Sequence, residues 1–491
     1  MKPISRNAAA ELEESPSADA LALCFFAVTV ALSLAAVPLT DPLSQIFITI
    51  LLFLCFLCLY INTLFAWPRR DISFYLFLPL LISAVQNVYL GLVAQQAFAL
   101  QLQLAIGLNV FLGFAFTFLL LAQTRSTFAV DPLAGLAALI AATLMVYGIA
   151  TWFAFKGAAL PALSSLRNIL SPALFLLFGL LAARRVSVDR FFAYVCGLGW
   201  LIIAFGVLER VFLPDLWRDL NIAVLWPKKG IPNITFWGLP SNFVSSELIN
   251  GEHVRRMVSL YGDPVNFGAV LFLIMMVAWY TRRYALMIAA LVCIVAAISK
   301  GGLQGVLVFA SVWGLVNLRG PMLALLLMAV LALGVGFATY SYFSSTQSLF
   351  IHLSGLWSAL RELPGHPLGQ GLGNVGVLAQ EGSETKESGL GLVIGQLGIV
   401  GLASYAIFML AIFARARYVQ PTRERVFSLS LLCAVALNVA FNEVALSPNS
   451  SAGYFIVLGL ACAKWGNRAP RPGLAAARNS LAVGRTGPTT A

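Results

Sequence analysis

The sequence predicts an all-α polytopic membrane protein of about fourteen transmembrane helices with two long extracytoplasmic loops. Three observations lead there. Of 491 residues, 60% are hydrophobic and only 10% are charged, against about 25% charged in soluble domains, and the mean hydropathy is +0.88. Apolar runs of roughly 17 to 25 residues recur along the chain, each long enough to cross a hydrocarbon layer about 30 Å thick as a helix. The Lys and Arg residues fall in short turns that alternate from one run to the next.

The first run, 20–39, follows the acidic, Ser-rich stretch "ELEESPSADA". A removable signal peptide needs a basic n-region and a small-residue cleavage site, so residues 1–19 read as a cytoplasmic leader and the run as a span. Spans at 45–67, 73–94, 96–122 and 132–155 follow, then a shorter run at 170–183 and another at 191–212. A long connection, 213–264, leads to runs at 265–281, 284–299, 302–318 and 322–341. A second, 342–388, leads to 389–414, 426–446 and 451–464. Residues 20–464 thus form one polytopic domain, and the basic tail 465–491, rich in Arg, Pro, Gly and Ala, is expected to be disordered.

All seven cysteines, at positions 24, 55, 58, 196, 293, 433 and 462, fall inside predicted spans, where Cys packs as a small apolar side chain. No disulfide framework is expected, and the Cys55/Cys58 pair sits in a run that argues against redox or metal chemistry. A net charge of +11 suits nucleic acid only when the cations gather on one domain, and here they are dispersed among turns. "RRD" at 69, Arg125, "ARRVSVDR" at 183, "RR" at 282, "LRG" at 318, "RARYVQPTRER" at 415 and the tail all fall on one side of fourteen spans. By the positive-inside rule that side is the cytoplasm, which places both termini there and both long connections on the opposite face.

"LGQGLGNVG" at 368–376 contains the pattern G-x-G-x-x-G. A dinucleotide site needs a strand before it, a helix after it and an acidic residue about 20 positions on. Here the motif follows "RELPGHP" in an extracytoplasmic loop. The default reading is that its glycines supply φ > 0 at tight turns; the sharper one is that their amides approach an anion at the membrane surface.

Ionisable residues near bilayer depth are costly and need a partner, a water-filled cavity or a task. The informative ones cluster at the outer ends of the spans. "EHVRRMVSLYGDPVNFGAV" carries Arg255, Arg256, Asp263 and Asn266, "ISKGGLQG" carries Lys300, and "ETKESGLGLVIGQLGIVGL" carries Glu384, Lys386 and Glu387. Arg167 precedes the run at 170, and Asn438, Asn442 and Glu443 close the thirteenth span. Taken singly, each has an ordinary use: snorkelling for the cations, helix N-terminal placement for Glu387, and interhelical hydrogen bonding for the i, i+4 pair Asn438 and Asn442. His352 and His366 lack a third ligand at metal spacing, so no metal site is expected. Taken together, several cations with one or two carboxylates are what a diphosphate leaving group and a hydroxyl nucleophile require.

Three stretches resemble the O-antigen ligase and Wzy-type polysaccharide polymerase superfamily of bacterial inner membranes. "RMVSLYGDPVNFGAVL" is similar to the family's Arg, Gly, Asn/Asp-Pro-Asn approach to a span. "ISKGGLQGV" resembles its Ser-Arg-Gly turn, and "GHPLGQGLGNVG" with "ESGLGLVIGQLGIVGL" resembles its Gly-rich loop, His-Asn pair and Gly-hinged helix. The resemblance covers the second half of the chain. It implies transfer of a glycan from a polyprenyl-diphosphate carrier to an acceptor hydroxyl at the periplasmic face, with neither metal nor nucleotide cofactor.

Carried over by residue, the resemblance implies that Arg256 grips the diphosphate, Lys300 stands where the family shows Arg, and Glu387 stands where it shows His and acts as base. Arg167, Arg255, Asp263, Asn266, His366, Glu384 and Asn442 are the accompanying substrate-binding candidates. The implied partners are a polyprenyl-diphosphate-linked oligosaccharide, membrane lipids and polysaccharide assembly and export proteins. Polymerisation is preferred to ligation because Glu replaces the ligase His. A lipid-linked oligosaccharide transporter and a non-catalytic assembly partner are the rivals from other classes.

Overall fold

A computed structural model describes residues 71–95, 131–229, 235–249, 252–344, 346–376 and 387–466. The expected leader, the spans at 20–39, 45–67 and 96–122, Glu384 and the tail beyond Gly466 lie outside the described residues. Four helices come first: α1 (Ser73–Val93), α2 (Pro132–Phe155), α3 (Ala159–Ala182) and α4 (Val188–Val207). The first long connection holds α5 (Leu216–Asp219), α6 (Ile222–Lys228) and two antiparallel hairpins, β1 (Thr235–Phe236) with β2 (Leu239–Pro240) and β3 (Val244–Ile249) with β4 (Glu252–Arg255). After it come α7 (Pro264–Tyr280), α8 (Tyr284–Ala296), α9 (Lys300–Asn317), α10 (Gly320–Ser344), α11 (Thr346–Glu362), α12 (Gly389–Ala416), α13 (Thr422–Phe441) and α14 (Pro448–Trp465).

Among the described residues, seven helices are long and apolar enough to cross a membrane: α1, α2, α3, α4, α10, α12 and α13, with α7 and α8 apolar but shorter. The chain is an all-α membrane protein. Five of its described helices, α2, α4, α7, α9 and α12, begin where short polar side chains meet the orphan amides of the first turn. Asp131 accepts from Leu133, Ser187 from Arg190, Ser299 from Gly302 and Ser388 from Gly391. Asp263, before Pro264, accepts from Val265 and Asn266.

Three expectations change. The run at 170–183 is the second half of α3, which starts at Ala159 and continues through Pro172. Hydropathy dips over Ser164, Ser165 and Asn168, yet all three are buried against protein, where polar groups find partners. The connection 342–388 contains a helix, α11, and the span expected at 426–446 ends at Phe441, where Glu443–Leu446 turns as a 3-10 helix.

Helix α3 packs against α14 through glycine. A Cβ on Gly179 would stand 2.2 Å from the Ile456 carbonyl, and one on Gly459 would stand 2.3 Å from that of Leu176. Backbones therefore approach closely, the usual route to tight helix pairing in a membrane. Helix α7 lies at the centre, buried along nearly its whole length, while α10 is peripheral and largely exposed.

The two ends of the bundle differ. One end has short turns around Asp71, Arg190, Asp131 and Arg415 and an aromatic cluster of Phe192, Tyr280, Phe427 and Trp465. The other carries both long connections. There Trp217, Ile222, Leu225 and Phe243 form a small separate core with Tyr89 and Leu90 at the end of α1.

Candidate functional site

A cavity of about 580 Å³ opens between α9, α10 and α13 at the end that carries the long connections. Its lining is divided. Lys300, Asn438 and Asn442 supply polar groups at one end, and the mostly apolar remainder carries Leu303, Leu307 and Leu333 with Gln304 and Ser341 among them. The division follows from helix geometry: Leu303 and Leu307 fall three and seven positions after Lys300, on the same face of α9. Gly301 lets α13 come close to the start of α9, since a Cβ there would stand 2.4 Å from Asn438 Oδ1. Asn438 donates to the Ala434 and Gly301 carbonyls, so it ties α13 to the start of α9. Asn442 lines the cavity while its Oδ1 accepts the Val444 amide.

Arg256 sits next to this cavity without lining it. Its Nε donates to the Ala297 carbonyl at 2.8 Å, Nη2 to Ile298 at 3.0 Å and Nη1 to Asn242 at 3.3 Å. Three of the five donors of a guanidinium are thus committed to backbone oxygens. Two of those oxygens belong to the turn that delivers Lys300, in which Ile298 has a φ of +47°. A planar fork suits that task; the single point of a lysine ammonium does not.

Glu387 approaches the same region from the start of α12. Its carbonyl accepts the Glu443 amide at 2.9 Å, which places it one residue from Asn442. Close packing fixes this junction: a Cβ on Gly389 would stand 2.9 Å from the Asn442 carbonyl. Lys300 and Asn442 thus share the cavity wall, while the Glu387 backbone joins the chain one residue beyond Asn442 without Glu387 being part of the lining, and Arg256 holds the turn before Lys300.

The glycine-rich loop is not a nucleotide motif in form, since no strand precedes it. Gly369, Gly371, Gly373 and Gly376 all have φ between +81° and +109°. At Gly373 the reason is plain: a side chain would be strained there and its Cβ would lie 2.6 Å from the Ala162 nitrogen. The loop docks into a break in α12, where Gly398 has φ +58° and ψ −141°. Gln370 and Gly371 donate to the Gly395 and Gln396 carbonyls freed by the break, and Ile399 donates to Pro367. His366 sits exposed at the loop's start, its amide donating to Glu362.

Other candidates hold the scaffold around this site. Arg255 pairs with Glu209 at 2.9 Å, and Glu209 also accepts the Val258 and Ser259 amides. Asp263 accepts from Asn242 Nδ2 and Asn266 Nδ2 besides capping α7. Asn266 Oδ1 accepts from Ser447 and Ser450, joining α7 to α14. Arg167, on α3, donates to Ser164 and Asn168.

Lys229, Asn87 and Asn242 are polar members of the region absent from the sequence-derived set. Lys229 hydrogen-bonds Asn87. Burial, reinforced by the Arg167 guanidinium and opposed by the Asp263 carboxylate, brings the Lys229 ammonium down to about 7. Its signal in the sequence was "PKKG", a lysine doublet in a connection that the positive-inside rule assigns to the side poor in cations.

The fold is that of an all-α membrane protein with a cavity between three of its helices. Neither models of known protein families nor curated proteins return a match to the chain.

Proposed function

We propose that this chain polymerises an exopolysaccharide or capsule-like glycan, moving it from a polyprenyl-diphosphate carrier to an acceptor sugar hydroxyl. The setting is the periplasmic face of a bacterial inner membrane, with both termini cytoplasmic. One observation carries the reading: the cavity between α9, α10 and α13 runs from Lys300, Asn438 and Asn442 to a leucine-lined length. That profile matches a charged headgroup on a prenyl tail.

In the proposed step the acceptor oxygen attacks the anomeric carbon, the bond from that carbon to the diphosphate oxygen breaks, and the hydroxyl proton passes to the Glu387 carboxylate. The diphosphate leaves with the bonding pair, and its charge is met by Lys300. A single displacement inverts the anomeric configuration. Arg256 serves by holding the Ala297 and Ile298 carbonyls and hence the turn that presents Lys300. It is a positioning residue in this scheme.

The test is chain growth by the purified protein in lipid nanodiscs supplied with a polyprenyl-diphosphate-linked oligosaccharide. A ladder of products that is lost in Glu387→Gln and Arg256→Ala supports the reading. A single addition to a foreign acceptor replaces polymerisation by ligation, and no covalent product overturns it in favour of transport or assembly.

A further inference from the structure

Three side-chain carboxamides, Gln304, Asn438 and Asn442, line the cavity, and the transfer step gives none of them a task. Gln304 stands four positions after Lys300, one turn along the same face of α9. It is half-buried and makes no hydrogen bond to any described residue. The two asparagines are oriented by the backbone. Asn438 Nδ2 donates to the Ala434 and Gly301 carbonyls, so its Oδ1 is left over, and no described group donates to it. Asn442 Oδ1 accepts the Val444 amide, which leaves its Nδ2 over. Neither leftover atom is sealed off by the surrounding protein. The wall thus offers an acceptor on Asn438, a donor on Asn442 and both on Gln304, with the Phe441 ring among them and, among the described residues, no carboxylate.

Polar groups in a mostly apolar cavity are costly unless a partner meets them. A carboxamide holds a donor and an acceptor side by side without charge, which suits vicinal hydroxyls, since each hydroxyl both donates and accepts. A sugar ring presents such hydroxyls at its edge and C–H groups on its faces, and an aromatic face packs against the latter. We propose that Gln304, Asn438, Asn442 and Phe441 form a subsite for an uncharged, hydroxyl-bearing sugar ring, the one joined to the diphosphate that Lys300 meets. That the ring arrives on a diphosphate rests on the transfer reading. The spacing selects the first sugar over a remote one: four helical residues rise about 6 Å, the reach from a diphosphate to the ring it carries.

Titration calorimetry on the full chain in lipid nanodiscs tests this, with farnesyl diphosphate and separately with farnesyl diphosphate bearing glucose, galactose or N-acetylglucosamine. The readout is the ratio of sugar-bearing to bare affinity. The expected result is that at least one sugar raises affinity about tenfold, the scale of a few neutral hydrogen bonds. Gln304→Leu and Asn442→Leu should each cut that ratio about fivefold. Gln304 makes no hydrogen bond to the described fold, so its variant should fold even where the Asn442 variant does not. A merely structural role would move both affinities together and leave the ratio unchanged. A ratio near one in wild type, a ratio that Gln304→Leu keeps, or binding of no ligand overturns the subsite. Chain growth is read separately. Its failure with the sugar preference intact sinks transfer and leaves the subsite, and its success with a ratio near one does the opposite.

Discussion

Among the described residues both ends of the helix bundle hold ion pairs, but only one of them also sets a cation on a cavity wall. At the short-turn end, Asp71 accepts from the Ser73 amide and hydroxyl and the Ser187 amide, and pairs with Arg190 at 3.1 Å. Arg415 reaches Asp131 there at 4.0 Å. Those charges close turns and dock helices. At the opposite end Arg255 pairs with Glu209, but Arg256 is spent on carbonyls that fix the turn at Ile298, and Lys300 lines a cavity. Charges that satisfy one another hold a fold together, whereas Lys300 is placed on a cavity wall.

That contrast separates stability from activity, and the largest expected effect is on activity. Lys300→Ala should cut chain growth by at least about a hundredfold, the scale of removing one group that meets developing charge, while thermal unfolding in detergent stays near wild type. Asp71→Ala should do the reverse. It removes the ion pair with Arg190 and the acceptor of the buried Ser73 amide and should lower stability by about 1 to 3 kcal/mol, read as a lower unfolding midpoint, with activity per folded molecule retained. An Asp71 variant that is stable but inactive would erase the distinction between the ends.

Smaller effects sharpen it. Gly373→Ala puts a side chain at φ +81° against the Ala162 nitrogen and should destabilise the loop by about 1 to 3 kcal/mol, visible as faster amide exchange across 367–371. Lys229 supplies a pH test of the site itself. Its folded value, about 7, lies below its ordinary 10.5, so the unfolded chain binds the proton first as pH falls. Its contribution should therefore make wild type more stable as pH rises from about 7 to 10.5, and Lys229→Met should flatten that part of the curve. Least affected should be Arg218→Ala. The Arg218 and Asp215 side chains are 43% and 59% exposed, and such pairs contribute about 0.2 to 1 kcal/mol.

Much of the helical layout was legible because hydropathy and capping are local. Asp131-Pro132, Asp263-Pro264, Ser299 and Ser388 mark helix starts in the residue order alone, and each is a cap in the fold. The glycines of 369–376 could be assigned to tight turns from composition. Where polarity was buried against protein, the local signal misled: Ser164, Ser165 and Asn168 depress hydropathy inside a continuous helix. The helix α11 was missed for a related reason, since the polar residues Thr346, Gln347 and Ser348 at its start resemble a loop. Among the site candidates, Arg256 and Lys300 were visible as cations in adjacent turns. That one clamps the turn of the other depends on which carbonyls lie within reach.

By itself the residue order determined the solvent of this protein, the positions of most of its described helices, and a concentration of cations in the connections that carry its glycines. Those follow from transfer free energies and backbone preferences that act within a few residues. Tertiary structure alone decided that Lys300 and Asn442 share a cavity wall, that the loop at 367–371 fills the break at Gly398, and that Lys229 meets Asn87. Each of these joins residues at least some twenty positions apart, and only packing of whole helices sets such distances.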